Sequence, residues 1–584
     1  MMPRIPSRAL EGLLYALTAF GVLAFGGVEP WSRATIEVLA LLLALACFLK
    51  GRPAGSLSGA YYWLFPAAVA ALGCLQLASA TAPGDPRPLV PFTTTPHETQ
   101  ASVMLWVSYA AVLWSVPRVI VTPDSARRYA RLLLGVGLVL AFLGLLQTAA
   151  GGDSLGGLRA GLRFGPYYNR DHAANILLMS LSVGLGMMYF RPGRLLASAL
   201  LIIFAGLAAC SSQASFIAIP LAAASVAFIG ADFARSARSR RLRAGAALAG
   251  AALTIFFAYH HVAASADGGG LIDDTVSARL AIYGDAWRWW RDAPLFGTGL
   301  GGFETVYPSY QDLALLGRAA HAHSDWIEFM LETGIFGLLG ALLGAGLSIF
   351  LVARIWRDAR SSEMRALIGG GLAAAVAFAA HSLFEFSFQI PANAVMFFGV
   401  LGFLLSAPSW ADKASTRVAG QSPPTGAALL AAGYCLVLMR TAILPAAAAW
   451  QADSPSANRL ERVVALARAV SLNEHPGYLT LLSVASYKAA GEGAQTDYAL
   501  LRLSLRYALA AVEQRPFSSD DLYLAGETLR RLERPADSQD FFARAQAVRF
   551  ARFGPTRETF RQRREKTLKE LREIFLVPGK PENR

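Results

Sequence analysis

His321-Ala-His-Ser-Asp-Trp-Ile-Glu-Phe-Met-Leu-Glu-Thr-Gly-Ile-Phe-Gly337 marks the point where a long polar stretch gives way to an apolar run. The run, 325–353, is long enough to cross the roughly 30 Å of bilayer hydrocarbon as a helix. Two histidines, His321 and His323, and three acids, Asp325, Glu328 and Glu332, stand at or just inside its start. A histidine at that boundary is wet on one side and held by the interface on the other. That is a suitable place for a proton-handling group acting on a lipid-borne substrate.

Similar apolar runs recur through most of the chain. It is 54% hydrophobic and 16% charged, with a mean hydropathy of +0.41, whereas a soluble domain carries about 25% charged residues. The expected fold is therefore all-α, a polytopic helical membrane protein with roughly 13 transmembrane helices. The spans read as 9–28, 34–50, 60–80, 100–117, 129–150, 172–190, 195–210, 213–230, 244–263, 325–353, 366–383, 393–409 and 425–445. The first follows Arg4 and Arg8 but lacks an evident small-x-small cleavage site, so it reads as a membrane helix rather than a signal peptide. Residues 1–445 form the membrane domain in this reading, and 446–584, polar and helical by pattern, a smaller domain outside the bilayer.

The net charge of +13 does not call for a nucleic-acid partner, because much of the basic excess lies in short loops between spans. Arg118, Arg127, Arg128 and Arg131, then Arg235 to Arg243, then Arg354, Arg357, Arg360 and Arg365 fall on one side under this span list. That side is the cytoplasm by the positive-inside rule. The N-terminus is then cytoplasmic, while loops 81–99, 151–171 and 264–324 and the C-terminal domain are extracytoplasmic. Cys47, Cys74, Cys210 and Cys435 lie in or beside apolar runs with no metal or disulfide spacing.

Loop 264–324, about 60 residues long, exceeds the roughly 15 residues beyond which loops tend to be functional or disordered. Trp287, Trp289, Trp290, Tyr307 and Tyr310 argue against disorder, and Ser277 to Arg291 reads as a helix. Arginines on this side oppose the usual bias and need a reason: Arg159, Arg163 and Arg170 in one loop, Arg279, Arg288, Arg291 and Arg318 in the other. Guanidinium forks suit the oxygens of a diphosphate; pairing with a nearby Asp or with ordinary lipid headgroups accounts for them equally well. His323 can take a proton from a sugar hydroxyl, with Ser324 at the helix start and Asp325 orienting the ring or capping the helix beside Glu328. A plain helix-start cluster meeting headgroups uses the same residues. Glu332, His381 and Glu385 are ionisable groups in or near spans, each either functional or paired with an arginine. Tyr167 and Tyr168 either stack on sugar rings or belong to an interfacial belt. No GxxxxGK[ST], GxSxG or HExxH motif occurs.

Four ordered motifs then carry a resemblance. His323-Ser324, nine residues and Gly334-x-x-Gly337 resemble the H-[NSQ]-x9-G-x-x-G signature of the O-antigen ligase and polymerase family. Ser277 to Tyr310, with Arg279, Trp287, Pro294-Leu-Phe-Gly-Thr-Gly and Phe303, resembles that family's large outer loop. Arg163-Phe-Gly-Pro-Tyr-Tyr-Asn169-x-x-His172-x-Ala174 resembles its earlier outer motif, and His381-Ser-Leu-Phe-Glu385 with Gln389-Ile-Pro-Ala-Asn393 its last. Where many members carry Ser-Arg-Gly-Gly, this chain has Ser212-Gln-Ala-Ser215.

The resemblance implies an inverting glycosyltransferase in a bacterial inner membrane, working on its outer side. It would use saccharide carried on undecaprenyl diphosphate and need neither metal nor cofactor. It also implies roles: His323 as general base, and Arg163 and Arg279 on the diphosphate. Asn169, His172, Arg288, Ser324, Asp325, Glu332 and Glu385 are expected beside them as substrate-contacting or supporting residues. The acceptor stays open between a glycan repeat, lipid A core and a protein hydroxyl, and a flippase for the same lipid is the alternative. In the C-terminal part, Leu500 to Val512 and Asp521 to Leu532 alternate like helix-turn-helix repeats, and the Pro476–Pro516 interval, about 40 residues, is near but not at the roughly 34-residue tetratricopeptide period. An unrelated helical bundle fits this pattern too. Such a surface would bind an envelope protein partner or guide a growing polymer.

Overall fold

Apolar stretches whose first turn carries Pro, or a side chain able to accept a backbone N–H, become the helices of this chain. In the computed structural model most of these begin earlier than hydropathy indicates, because the polar caps belong to the helix; the exceptions are the helix from Leu64, which starts later than expected, and the one from Asp325, which starts where expected. The structure describes residues 7–50, 62–80, 89–151, 161–210, 212, 215, 219, 276–311, 319–359, 361–411, 444–452, 457–491, 496–515 and 518–550. The expected spans 213–230 and 244–263, most of 425–445, and the basic run Arg235 to Arg243 lie outside the described residues.

Helices α1 (Ser7–Leu23), α2 (Pro30–Leu49), α3 (Leu64–Ala78), α4 (Pro96–Val119), α5 (Pro123–Ala149), α6 (Arg170–Phe190) and α7 (Arg194–Cys210) come first. The outer segment holds α8 (Val276–Asp292) and the short α9 (Phe303–Val306). The long α10 (Asp325–Asp358), α11 (Ser362–His381) and α12 (Pro391–Ala411) complete the apolar set. Thr122 opens α5 in a reciprocal cap with Ser125, and Asn169 and Ser361 cap α6 and α11. Seven of these helices are long and apolar enough to cross a membrane, α10 among them. α4, α11 and α12 are mostly buried, whereas α10 exposes Phe336, Leu339, Leu342, Leu343, Ile349 and Phe350 along a lipid-suited face.

At one end of the bundle, Arg127 bridges α5 to Glu363 of α11 with two bonds of 2.7 Å, and Arg128 reaches Glu11 of α1 at 2.8 and 2.9 Å. At the other end lies a break in α10. Gly334 has φ 66° and ψ −167°, a region open essentially to glycine, and the helix ladder is interrupted there. The turn Pro294-Leu-Phe-Gly-Thr-Gly299 fills the gap: Thr298 and Gly299 donate to the carbonyls of Leu331 and Glu332, and Ile335 and Phe336 donate to those of Pro294 and Leu295. The two chains approach so closely that a Cβ on Gly334 would lie 2.2 Å from the Leu295 carbonyl carbon, and one on Gly297 2.2 Å from that of Glu332.

Gln76 of α3 secures this crossing. Its amide donates to Phe296 and Glu332 carbonyls at 2.9 and 2.8 Å, and its oxygen accepts Leu300 N–H at 3.1 Å. Above it, Trp289 is fully buried, stacks on Tyr310 at 5.6 Å and donates to Thr298. Tyr307 lies on Phe303 at 4.9 Å and donates to Asp285. Most aromatics of the outer segment therefore form a core of its own; Trp287 is the exposed one, stacked on Trp290.

α13 (Leu444–Ala452), α14 (Arg459–Leu472), α15 (Pro476–Ala489), α16 (Tyr498–Gln514), α17 (Ser519–Arg531) and α18 (Pro535–Phe550) follow. From α13 onward each packs on the next in chain order, around two apolar clusters separate from the membrane-helix core. The basic tail Arg561 to Arg572 lies outside the described residues.

Gly334→Ala should lower stability by roughly 2–6 kcal/mol, about 1–3 from strain and about 1–3 from overpacking. Gln76→Leu strands two backbone groups, the Phe296 carbonyl and the Leu300 N–H, each costing about 1–3 kcal/mol when buried, while the Glu332 carbonyl keeps Gly299 N–H. Thermal melts of the detergent-solubilised protein would show both, and an unshifted midpoint in either variant would refute the clasp.

Candidate active site

The start of α10 and the turn between α11 and α12 are bound to each other. Asp325 N–H donates to the carbonyls of Ser382 and Glu385, and its carboxylate accepts Phe388 N–H at 3.1 and 3.0 Å. Asp325 is thus committed to the backbone of the 382–388 turn. Of the two parts expected for Asp325, orienting the ring or capping the helix, its contacts among the described residues do not include the His323 ring; the carboxylate oxygen that faces His323 Nδ1 is Glu385 Oε2, at 3.8 Å.

Arg279 of α8 holds the same turn. Its two terminal nitrogens donate to the Phe384 carbonyl at 3.0 Å and to Glu385 Oε1 at 2.7 Å. Glu385 is almost wholly buried, with 1% of its side chain exposed. Burial pushes its carboxyl up, but the neighbouring His323 imidazole and the Arg279 charge more than offset this and hold it down at about 2. The result is an ionised carboxylate with one oxygen on arginine and the other aimed at an imidazole. His323 Nδ1, Glu385 Oε2 and Arg279 Nε are all buried without a hydrogen-bond partner. Orphaned polar atoms concentrated at one place mark a site built to receive something polar.

His323 sits in the left-handed region at φ 51°, a conformation costing a non-glycine residue about 1–3 kcal/mol. Tyr283 of α8 restrains it by donating to the His323 carbonyl at 3.2 Å. Glu328 pulls on the same strand from below: it accepts Ala322 N–H at 2.8 Å and pairs with His321 Nδ1 at 2.9 Å. Burial lowers the His321 pKa, yet the Glu328 carboxylate leaves it raised on balance. Phe386 is the shared surface: His321 stacks on it at 4.1 Å, while the His172 and His323 rings meet it edge-on at 4.6 and 5.4 Å. His172 is buried, its carbonyl held by Asn393, which also accepts from Tyr167. His381 pairs with Ser387 Oγ at 3.2 Å.

The structure therefore brings His323, Glu385, Arg279, His172 and His321 together. Other expected residues stand apart, and among the described residues no hydrogen bond or ion pair joins them to His323. Asn169 accepts Asp171 N–H and caps α6. Arg288 is committed to Asp285 and the Tyr310 carbonyl within the outer segment. Glu332 accepts Phe303 N–H at 3.2 Å. Ser324 is the N-cap residue of α10 but makes no side-chain cap bond. Arg163 is exposed, with no side-chain partner among the described residues. Tyr167 is buried and Tyr168 donates to Glu29. Phe386, Tyr283 and Gln76 escaped sequence reasoning; only Gln76, a polar amide alone in an apolar run, carried a readable signal. Among the described residues no group of His, Cys, Asp and Glu is arranged to hold a metal ion.

Residues 198–342 match the protein family described as O-Antigen ligase. The matched stretch contains Arg279, His323 and the Gly334 break, and excludes Arg163 and Glu385. No curated protein matches the chain.

Because the folded pKa of Glu385 lies below its ordinary 4.5, its contribution is complete above that value and is lost as pH falls toward about 2. It amounts to something on the order of 3 kcal/mol. The wild-type melting temperature should therefore fall across that window more steeply than that of Glu385→Gln. At neutral pH the variant, leaving Arg279 buried and unpaired, should be less stable by roughly 3–5 kcal/mol. Parallel slopes in acid would show that the carboxylate is not held ionised by the fold.

Proposed function

We propose that this chain, a multi-pass membrane protein carrying an O-antigen ligase-family domain at 198–342, joins saccharide units taken from undecaprenyl diphosphate. The family match supports a membrane enzyme that transfers sugars; the reaction course proposed here rests on the His323 site. The observation that carries it is the buried Glu385 carboxylate, with Oε1 on Arg279 and Oε2 facing His323 Nδ1 at 3.8 Å. A carboxylate in that position favours the tautomer with the proton on Nδ1 and leaves Nε2 as the base.

Nε2 takes the proton of an acceptor hydroxyl as its oxygen attacks the anomeric carbon. The bond from that carbon to the diphosphate oxygen breaks, the diphosphate leaves with the electron pair, and the configuration inverts. The imidazolium formed is stabilised by Glu385, and the 3.8 Å separation is of the kind that shortens in a loaded enzyme. Arg279 acts mainly through Glu385, with Nε its one nitrogen lacking a partner. Arg163 is the exposed cation offered to the diphosphate.

A cavity of about 210 Å³ supports the lipid-carrier reading. It is lined by Phe65, Trp106, Phe329, Phe388 and Phe397 and reaches Asp325 and Gln389. It is apolar enough for part of an isoprenoid chain. The charged cluster sits at helix ends, where transfer at the membrane surface needs it, whereas a transporter would place it near the midplane. We assign the bacterial inner membrane with the site and C-terminal helices on its outer side, and favour polymerisation of a surface or exopolysaccharide over ligation to lipid A core or protein.

Purified protein in lipid, supplied with lipid-linked repeats, should lengthen glycan, and His323→Ala should lower the rate by about 100-fold or more, the scale of general-base catalysis. Full activity in that variant would exclude the mechanism. Single repeats on the surface of a deletion strain mean polymerase; unligated polymer means ligase.

A further inference from the structure

Between the C-terminal helices and the membrane-spanning core lies a cavity of about 540 Å³, within the roughly 300–1,000 Å³ range of small-molecule sites. The core side is formed by Arg33 of α2, Glu98 and Ser102 of α4 and the outer segment; the far wall is His475, Arg515, Ser518 and Asp520. His321 is among its lining residues, and the His321 ring stacks on Phe386, which meets the His323 ring edge-to-face. One aromatic ring therefore separates a residue of the cavity wall from the proposed base. Ser102 and Gln389 line both this cavity and the apolar one, so a lipid-borne diphosphate and a second, polar ligand would meet there.

The wall chemistry selects the class of that ligand. Arg33 and Arg515 are set against Glu98, Glu304 and Asp520, with hydroxyls and amides between them. Val28, Pro308, Ile390 and Pro391 add apolar surface among these charged and polar groups, a mixed lining that suits a lipid tail poorly, and a polyanion meets three carboxylates. An uncharged polyol finds donors and acceptors in alternation. The donors are also fixed in place. Arg33 is held by Glu37 at 3.1 Å and the Ala101 carbonyl at 2.5 Å, and Arg515 by Asp521 at 2.8 Å and Thr480 at 2.7 Å. Arg515 Nε is buried with no partner. His475 Nδ1 accepts Gly477 N–H at 3.1 Å. Burial, with the charges of His97 and Arg515, holds its pKa at about 4. The ring is therefore neutral near pH 7, with Nε2–H as its donor. Such preorganised groups cost little to order on binding.

We propose that this cavity binds the acceptor saccharide, and that the C-terminal helices form its outer wall and hold the acceptor against the core while its hydroxyl reaches His323. This rests on the sugar-transfer reading of the His323 site. Asp520 is exposed, in the first turn of α17, so Asp520→Trp fills the cavity from its wet side. Val464→Trp, at an exposed position on α14, serves as control. The probe is a labelled oligosaccharide released from the cell's own surface polysaccharide, titrated without donor against full-length protein in nanodiscs. Asp520→Trp should weaken binding at least tenfold and raise the acceptor KM equally, with the donor KM and the kcat at saturating acceptor unchanged; Val464→Trp should match wild type. Equal binding by Asp520→Trp and wild type, or a change confined to the donor KM, overturns the inference even if wild type transfers sugar. Binding that Asp520→Trp abolishes, in a wild type that forms no glycosidic bond, upholds the saccharide site while removing the functional reading of His323.

Discussion

Backbone N–H and C=O groups must be paired wherever water is scarce, and the break at Gly334 is where this chain meets that demand with a distant segment. Opening a helix just inside an apolar span strands carbonyls on one side and amides on the other. The 294–299 turn supplies the missing partners strand-fashion, and Gln76 satisfies what the turn presents to α3. From this crossing α8 is rooted through Trp289, and α8 in turn delivers Arg279 to Glu385 and Tyr283 to His323. The site is assembled by the repair of a broken helix.

The chemistry of the site follows from burial working against charge. A buried carboxylate would ordinarily be neutral, and a neutral acid could not orient an imidazole base. The His323 imidazole and the Arg279 charge together reverse that outcome. Removing either member of the Arg279–Glu385 pair leaves an uncompensated buried charge, which is more costly than never having had the pair. Glu328 performs a parallel task one turn deeper, drawing His321 and Ala322 toward α10. The two histidines, two positions apart, thus have different carboxylate neighbours.

The helical membrane fold was legible because hydropathy needs no knowledge of neighbours. Its helix starts were read late at Pro96, Pro123 and Pro391 because capping turns are polar. Gly334 and the Pro294–Gly299 turn each stood out in sequence, but their pairing is a three-dimensional fact with no periodic signature. His323 and Glu385 were both singled out. Sequence leaves Asp325 open between orienting the ring and capping the helix, and the carboxylate that faces the ring comes from a residue 62 positions on from His323. Arg288 shows another limit: sequence leaves it open between a diphosphate, a lipid headgroup and a nearby Asp, and only the structure shows Asp285, three residues earlier, holding it.

The Gln76 clasp also constrains how the molecule is made. Its partners lie 220 to 256 positions downstream, so α3 reaches the bilayer long before any of them has been synthesised. Until then a glutamine that ends fully buried must be satisfied by water at the helix end or by provisional neighbours. The core of the site is for the same reason a late event in biogenesis, closing after residues 276–311 and the start of α10 have been synthesised. Chains stalled before that point expose an unpaired amide and an incomplete bundle, the kind of surface that membrane quality control can recognise.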